Sequence, residues 1–236
     1  MILSILPQPD VNLLGIRLQE PITTFTDLLV TVVCFYAYWK ITKSGIVNKA
    51  IQYIKYYFVL MGVGVALGGL IGHGFQYAFS PEWKCVGWVI GMFAVLFFEF
   101  SALEYTANLI PPKTHKILVG FSIIETIIAL VFTISFVNFK YVQYHMVFGF
   151  IVVVFSLHLL IYYKTNDTGS RWIMAGVAML VIAISAFSYR VAPHVWFNHN
   201  DLSHVIIAVA TYLFLKGALH LGDPPKRLAA QKSFKK

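Results

Sequence analysis

The chain has 236 residues, 58% of them hydrophobic and only 12% charged, where ordinary soluble domains carry about 25% charged residues. With a mean hydropathy of +0.74, these values exclude a soluble globular enzyme and leave no room for a separate water-soluble domain. The formal charge of +8 follows the apolar segments in a way that orients a membrane protein, and it does not point to a nucleic-acid partner.

Met1 to Pro9 is apolar but short, lacks a basic n-region, and leads into a polar stretch holding Asp10, Arg17 and Glu20. It does not read as a cleaved signal peptide. Val11 to Leu18 reads as a short amphipathic segment lying on the membrane, so residues 1–24 form an outer, interfacial segment. Seven apolar segments follow, at roughly 25–42, 55–79, 86–108, 116–137, 141–163, 171–192 and 203–221, each near the ~20 residues that cross a bilayer as a helix. The predicted fold is an all-α integral membrane protein, a seven-transmembrane-helix bundle over 25–222 followed by a basic tail over 223–236.

Connections are short. Lys164 to Ser170 is rich in loop formers, and the longest connection, Val191 to Leu202, carries Pro193, Trp196 and three histidines. Of the 18 basic residues, only Arg17, Lys84, Lys140 and Arg190 fall on the side of the N-terminus. By the positive-inside rule the N-terminus is therefore outside and the C-terminus cytoplasmic, as expected for a bacterial inner membrane. The tail then faces anionic inner-leaflet lipid. Tyr and Trp near the segment ends form aromatic belts. The glycines of the second segment, among them Gly64, Gly68 and Gly72, allow close helix approach.

This topology sorts the ionisable groups by depth. His73, His145, His194, His199 and His204 lie towards the outside, and His115, His158 and His220 towards the cytoplasm. Intramembrane ionisable groups are costly and mark functional sites, and histidine is the commonest metal ligand. On a helix, Asn200, Asp201 and His204 share a face, and Asn200 or Asp201 also suits an N-cap. His199, five residues before His204, is turned ~140° away unless it precedes the first turn. Glu82, in the outer loop, is a candidate general base. Glu99 and Glu125 lie near mid-bilayer and need partners; Lys216 is at about the depth of Glu99, so a Glu99–Lys216 pair or a polar cavity is expected.

The last segment, Asn200 to Gly217 with His204 and Lys216, resembles the final helix of the CREST superfamily, the seven-helix proteins that include alkaline ceramidases and the progestin and adiponectin receptors. The resemblance implies a zinc ion held by one histidine of the second helix, here His73, and by an HxxxH pair opening the seventh, of which His204 matches the second member. Asn200 stands where the first should be, so His199 is the candidate third ligand; Gly69 stands four before His73, where that group usually has serine. A similar last helix also occurs in uncharacterised seven-helix proteins of Bacteroidetes bacteria, a likeness that carries no activity. The implied function is a zinc-dependent intramembrane hydrolase of lipid amides or esters. Zinc with three protein ligands leaves a place for water and lowers its pKa to ~7, and Asp201 or Glu82 would move the proton.

Three other readings stand beside it. One is a non-catalytic lipid-binding receptor or accessory membrane subunit. Another is haem-based electron transfer, with His145 and His158 about 20 Å apart along the fifth helix though on different faces. The third is a retinal protein linked through Lys216. Oligomeric state is not legible.

Overall fold

The computed structural model describes residues 8–222 and Pro225. Apart from Pro225, the expected basic tail over 223–236 lies outside the described residues. Seven helices among the described residues are long and apolar enough to cross a membrane: α1 (Pro21–Lys43), α2 (Lys49–Gly74), α3 (Pro81–Thr106), α4 (Pro112–Phe136), α5 (Phe139–Thr165), α6 (Thr168–Ser188) and α7 (His199–His220). They match the seven predicted segments, with ends moved by a few residues to the local stop and start signals. Pro21 opens α1, the Asn48 side chain caps α2, and Asp167 caps α6 through Ser170 N at 2.5 Å.

Two helices are not regular throughout. The last turns of α2, Gly68–Gly74, and the middle of α5, Phe148–Phe155, are π-helical. Such wide turns are rare and collect at functional sites. Each here goes with a histidine, the half-buried His73 within the first and the buried His145 three residues before the second.

The segment expected to lie flat on the membrane is instead a β-hairpin, β1 (Val11–Leu13) paired antiparallel with β2 (Ile16–Leu18). Leu14 (φ 53°) and Gly15 (φ 83°) supply the two left-handed residues of its turn, the geometry that suits a two-residue hairpin. The hairpin is pinned to the end of α2. Gln19 N donates to Gly74 O at 3.0 Å, the Tyr77 hydroxyl donates to Arg17 O at 3.0 Å, and the Arg17 guanidinium lies over the Tyr77 ring.

The bundle closes because α1 packs between α7 and α2, α2 runs along α3, and α6 runs along α7. Its centre is aromatic: Tyr57 stacks on Phe98 at 4.7 Å, and Phe98 meets Phe214 edge-on at 4.8 Å. Among helices α4 is the least covered, with 22% of its apolar window buried against 56% for α3. Where α2 crosses α3, Gly64 and Gly87 meet backbone to backbone; a Cβ on Gly87 would lie 2.8 Å from Gly64 O. Gly87→Leu is expected to push the helices apart at a cost of roughly 1–3 kcal/mol, read as a lower melting temperature in detergent. An unchanged melting temperature would show that the crossing is not tight.

Candidate metal centre

At the end of the bundle where α7 begins, three helices bring together His73 of α2, His204 of α7 and Asp27 of α1. Asp27 is buried and sits between the two rings. Its Oδ1 is 3.3 Å from His204 Nε2 and its Oδ2 is 4.0 Å from His73 Nε2. The ring centroids are 6.3 Å apart.

The other nitrogen of each ring is held by protein. His73 Nδ1 is 2.5 Å from Glu20 Oε2, so the N–H there donates to the carboxylate. The Thr26 hydroxyl donates its single proton to Thr23 O at 3.0 Å. Towards His204 Nδ1, 3.2 Å away, it must therefore accept. This pattern leaves the Nε2 atoms of both rings turned to one carboxylate. A nitrogen without a proton facing a carboxylate oxygen is repulsive, so each contact calls for a proton or a metal ion between the two atoms. A carboxylate or hydroxyl on the far nitrogen is also the usual support of a metal-ligating histidine.

Local backbone explains how the group is assembled. Glu20 precedes α1 in a left-handed conformation (φ 39°, ψ 57°) and makes no side-chain cap. A non-glycine residue held there costs about 1–3 kcal/mol, and the result is a carboxylate aimed across at α2. Gly69 is one turn before His73, and a Cβ on it would be 2.7 Å from the Asp27 Cβ. The space that a side chain at Gly69 would take is thus filled by Asp27 from another helix. His73 hydrogen bonding holds the Glu20 carboxyl below the ordinary carboxylate range.

The remaining sequence-predicted residues fall elsewhere. Helix α7 starts at His199, so the five-residue spacing does turn it away from His204; its ring packs on Phe187 at 5.4 Å and its Nδ1 is buried without a hydrogen bond. Asp201 completes a capping box with Asn198. Its Oδ2 accepts from Asn198 N at 2.6 Å and Gln8 Nε2 at 2.5 Å, which leaves that oxygen occupied by structure. The Asn200 backbone N–H donates to the Asn198 side chain. Glu82 is exposed on the first turn of α3.

The expected Glu99–Lys216 pair is not formed. The Lys216 ammonium lies over the Trp172 and Tyr212 rings, while Glu99 faces Glu125 and His145. The direction of Lys216 around its helix is towards α6. Of the rings in the haem reading, His145 lies between Glu125 and Met92 O, and His158 Nδ1 bonds the Ser170 hydroxyl at 2.9 Å while its Nε2 is buried without a hydrogen bond. Asp27 and Glu20 were the residues that sequence reasoning passed over. The available signal was an aspartate inside the first apolar segment, among Thr23, Thr24 and Thr26.

Fold and site together define a helical bundle with seven potential membrane spans and a histidine–carboxylate centre at one end. Residues 22–223 match the family of unknown function DUF6962, and the chain belongs to that family. No curated protein and no solved structure matches it.

Glu20→Gln is expected to lower the melting temperature at neutral pH. The gap from wild type should close as pH falls below the ordinary value of 4.5. A carboxylate with a depressed pKa contributes stability above that value and loses it as pH drops through the lower folded one. A gap that persists to pH about 3 would mean that the charge of Glu20 is not what matters.

Proposed function

We propose that the protein is a zinc-dependent intramembrane hydrolase of a lipid amide or ester, with His73, His204 and Asp27 as the metal-holding residues. The observation that carries this reading is the pair of Nε2 atoms turned to the Asp27 carboxylate. Two imidazoles and a carboxylate are a donor set suited to catalytic zinc with an open position. Asp27 takes the third place, for which His199 was the candidate. Zinc bound there would supply Lewis acidity to a carbonyl oxygen and acidity to water.

The chain's own residues do the rest. Glu20 holds the His73 ring and Thr26 the His204 ring, each by the nitrogen turned away from Asp27. Glu20 is also the carboxylate touching the group that is not itself turned to both rings, and it replaces Asp201 and Glu82 as the residue to receive a proton. An apolar cavity of about 140 Å³ between α5, α6 and α7 is lined by Phe139, Met146, Phe150, Leu180 and Ile207 and reaches Ser203 and His204. A greasy cavity ending on a few polar groups suits an acyl chain carrying its carbonyl to the centre. We place the N-terminus outside and the C-terminus in the cytoplasm of a bacterial inner membrane, from the basic residues. The centre then opens near the outer face, where a lipid could enter sideways.

Zinc content of detergent-purified protein, measured by mass spectrometry for wild type, His204→Ala and Asp27→Asn, tests the centre. Each variant is expected to hold about one ion per chain less than wild type. Hydrolysis of lipid amides or esters in mixed micelles, once found, should fall at least about a hundredfold in both. Equal zinc in all three proteins would sink the proposal, and zinc lost without any hydrolysis by wild type would leave a binding or receptor role.

A further inference from the structure

A second cluster lies deeper in the bundle, away from the centre described above. Glu99 of α3, Glu125 of α4 and His145 of α5 present ligand atoms that all lie within 4.8 Å of one another. Glu99 is fully buried, and both its carboxylate oxygens lack a hydrogen-bond partner of standard geometry, with the Ser122 side chain beside them. A buried carboxylate left in that condition is costly, so the cluster lacks something that an ion would supply.

The hydrogen bonds say what kind of ion. His145 Nε2 is 3.1 Å from Met92 O. A carbonyl only accepts, so that nitrogen carries a proton. Nδ1 is 2.7 Å from Glu125 Oε2, a contact closed either by a second ring proton or, with the imidazole neutral, by a cation. An imidazole whose N–H is fixed by a backbone carbonyl, with its other nitrogen among carboxylates, is arranged as metal-ligating histidines are. Charge agrees: two carboxylates, one neutral imidazole and one divalent cation sum to zero, the state a low-dielectric interior favours.

The backbone makes the space. Gly149 lies one turn beyond His145, at the start of the π-helical stretch, and a Cβ there would be 2.6 Å from Glu99 Oε1. Glu125 is 20% exposed on a groove of about 360 Å³ between α4 and α5, which His145 also lines.

We propose that Glu99, Glu125 and His145 bind one first-row divalent cation, of the zinc or manganese class, that ties the poorly covered α4 to α3 and α5. The imidazole nitrogen among the donors selects against magnesium and calcium. The site does not depend on the zinc centre at His73 and His204.

Full-length protein in detergent, stripped with chelator and refilled with Zn²⁺ or Mn²⁺, tests this by metal count after desalting, in wild type, Asp27→Asn, Glu99→Gln and Glu125→Gln. Glu99→Gln and Glu125→Gln are each expected to bind about one ion fewer than wild type, or to hold it at least about tenfold more weakly. Asp27→Asn should keep this ion. Refilling should raise the melting temperature of Asp27→Asn and not that of the Asp27→Asn/Glu99→Gln double variant. Glu125→Gln, on the groove, covers the case in which the fully buried Glu99→Gln does not fold. Loss of an ion only in Asp27→Asn, with both glutamine variants matching wild type, overturns the proposal and leaves the triad holding protons alone. Loss only in the glutamine variants upholds it while removing the outer zinc centre.

Discussion

A bare imidazole nitrogen set against a carboxylate oxygen inside an apolar bundle has only two resolutions, a proton or a metal ion between them. At the fully buried His145 water does not screen the contact, and neither group can leave. Twice in this chain an imidazole is turned to carboxylates while its other nitrogen is held by protein: His204 by the Thr26 hydroxyl, and His145 by the Met92 carbonyl. Much of the local structure follows from holding these pairs. Gly69 and Gly149 are the places where a side chain would collide with Asp27 and Glu99. The left-handed Glu20 and the hairpin before it are the cover over the first pair.

The irregular helices belong to the same constraint. A π-helical stretch shifts the side chains beyond it around the axis relative to a regular helix. In α2 the stretch carries His73 itself, so the ring reaches both Glu20 and Asp27 from a helix whose earlier turns are committed to packing on α3. In α5 the stretch begins just after His145. It lets one helix present His145 and Gly149 to the triad while Phe150 joins the aromatic centre against Phe98 and Phe214.

Hydropathy sufficed to locate the seven helices, since each is a long run of apolar residues bounded by Pro, Asn, Asp or a basic residue. Depth could also be read, and it put His73 and His204 together at one end. What could not be read was direction around each helix. Nearly every face of these helices is apolar, so periodicity gives no azimuth. That is why Lys216 looked like a partner for Glu99, and why His199 looked like a ligand. Asp27 escaped notice for a related reason: one carboxylate early in an apolar run looks like a helix-start residue until Gly69 is seen to face it. The hairpin was missed because Leu14 in a left-handed turn goes against its own preference.

Helix α5 joins the two sites. One of its faces, through Met146, Val147 and Phe150, forms a wall of the apolar cavity that ends at His204. The neighbouring face, through His145 and Gly149, forms the triad. These faces are on one rigid rod, so whatever neutralises Glu99 and Glu125 also sets where that cavity wall stands. An ion there would hold His145, and with it the first turns of α5, in a single position against α3. Two protons would neutralise the same charges without tying three helices to one point. The difference is mechanical as well as electrostatic, since only a multidentate ion converts the least covered helix, α4, into part of the frame around the cavity.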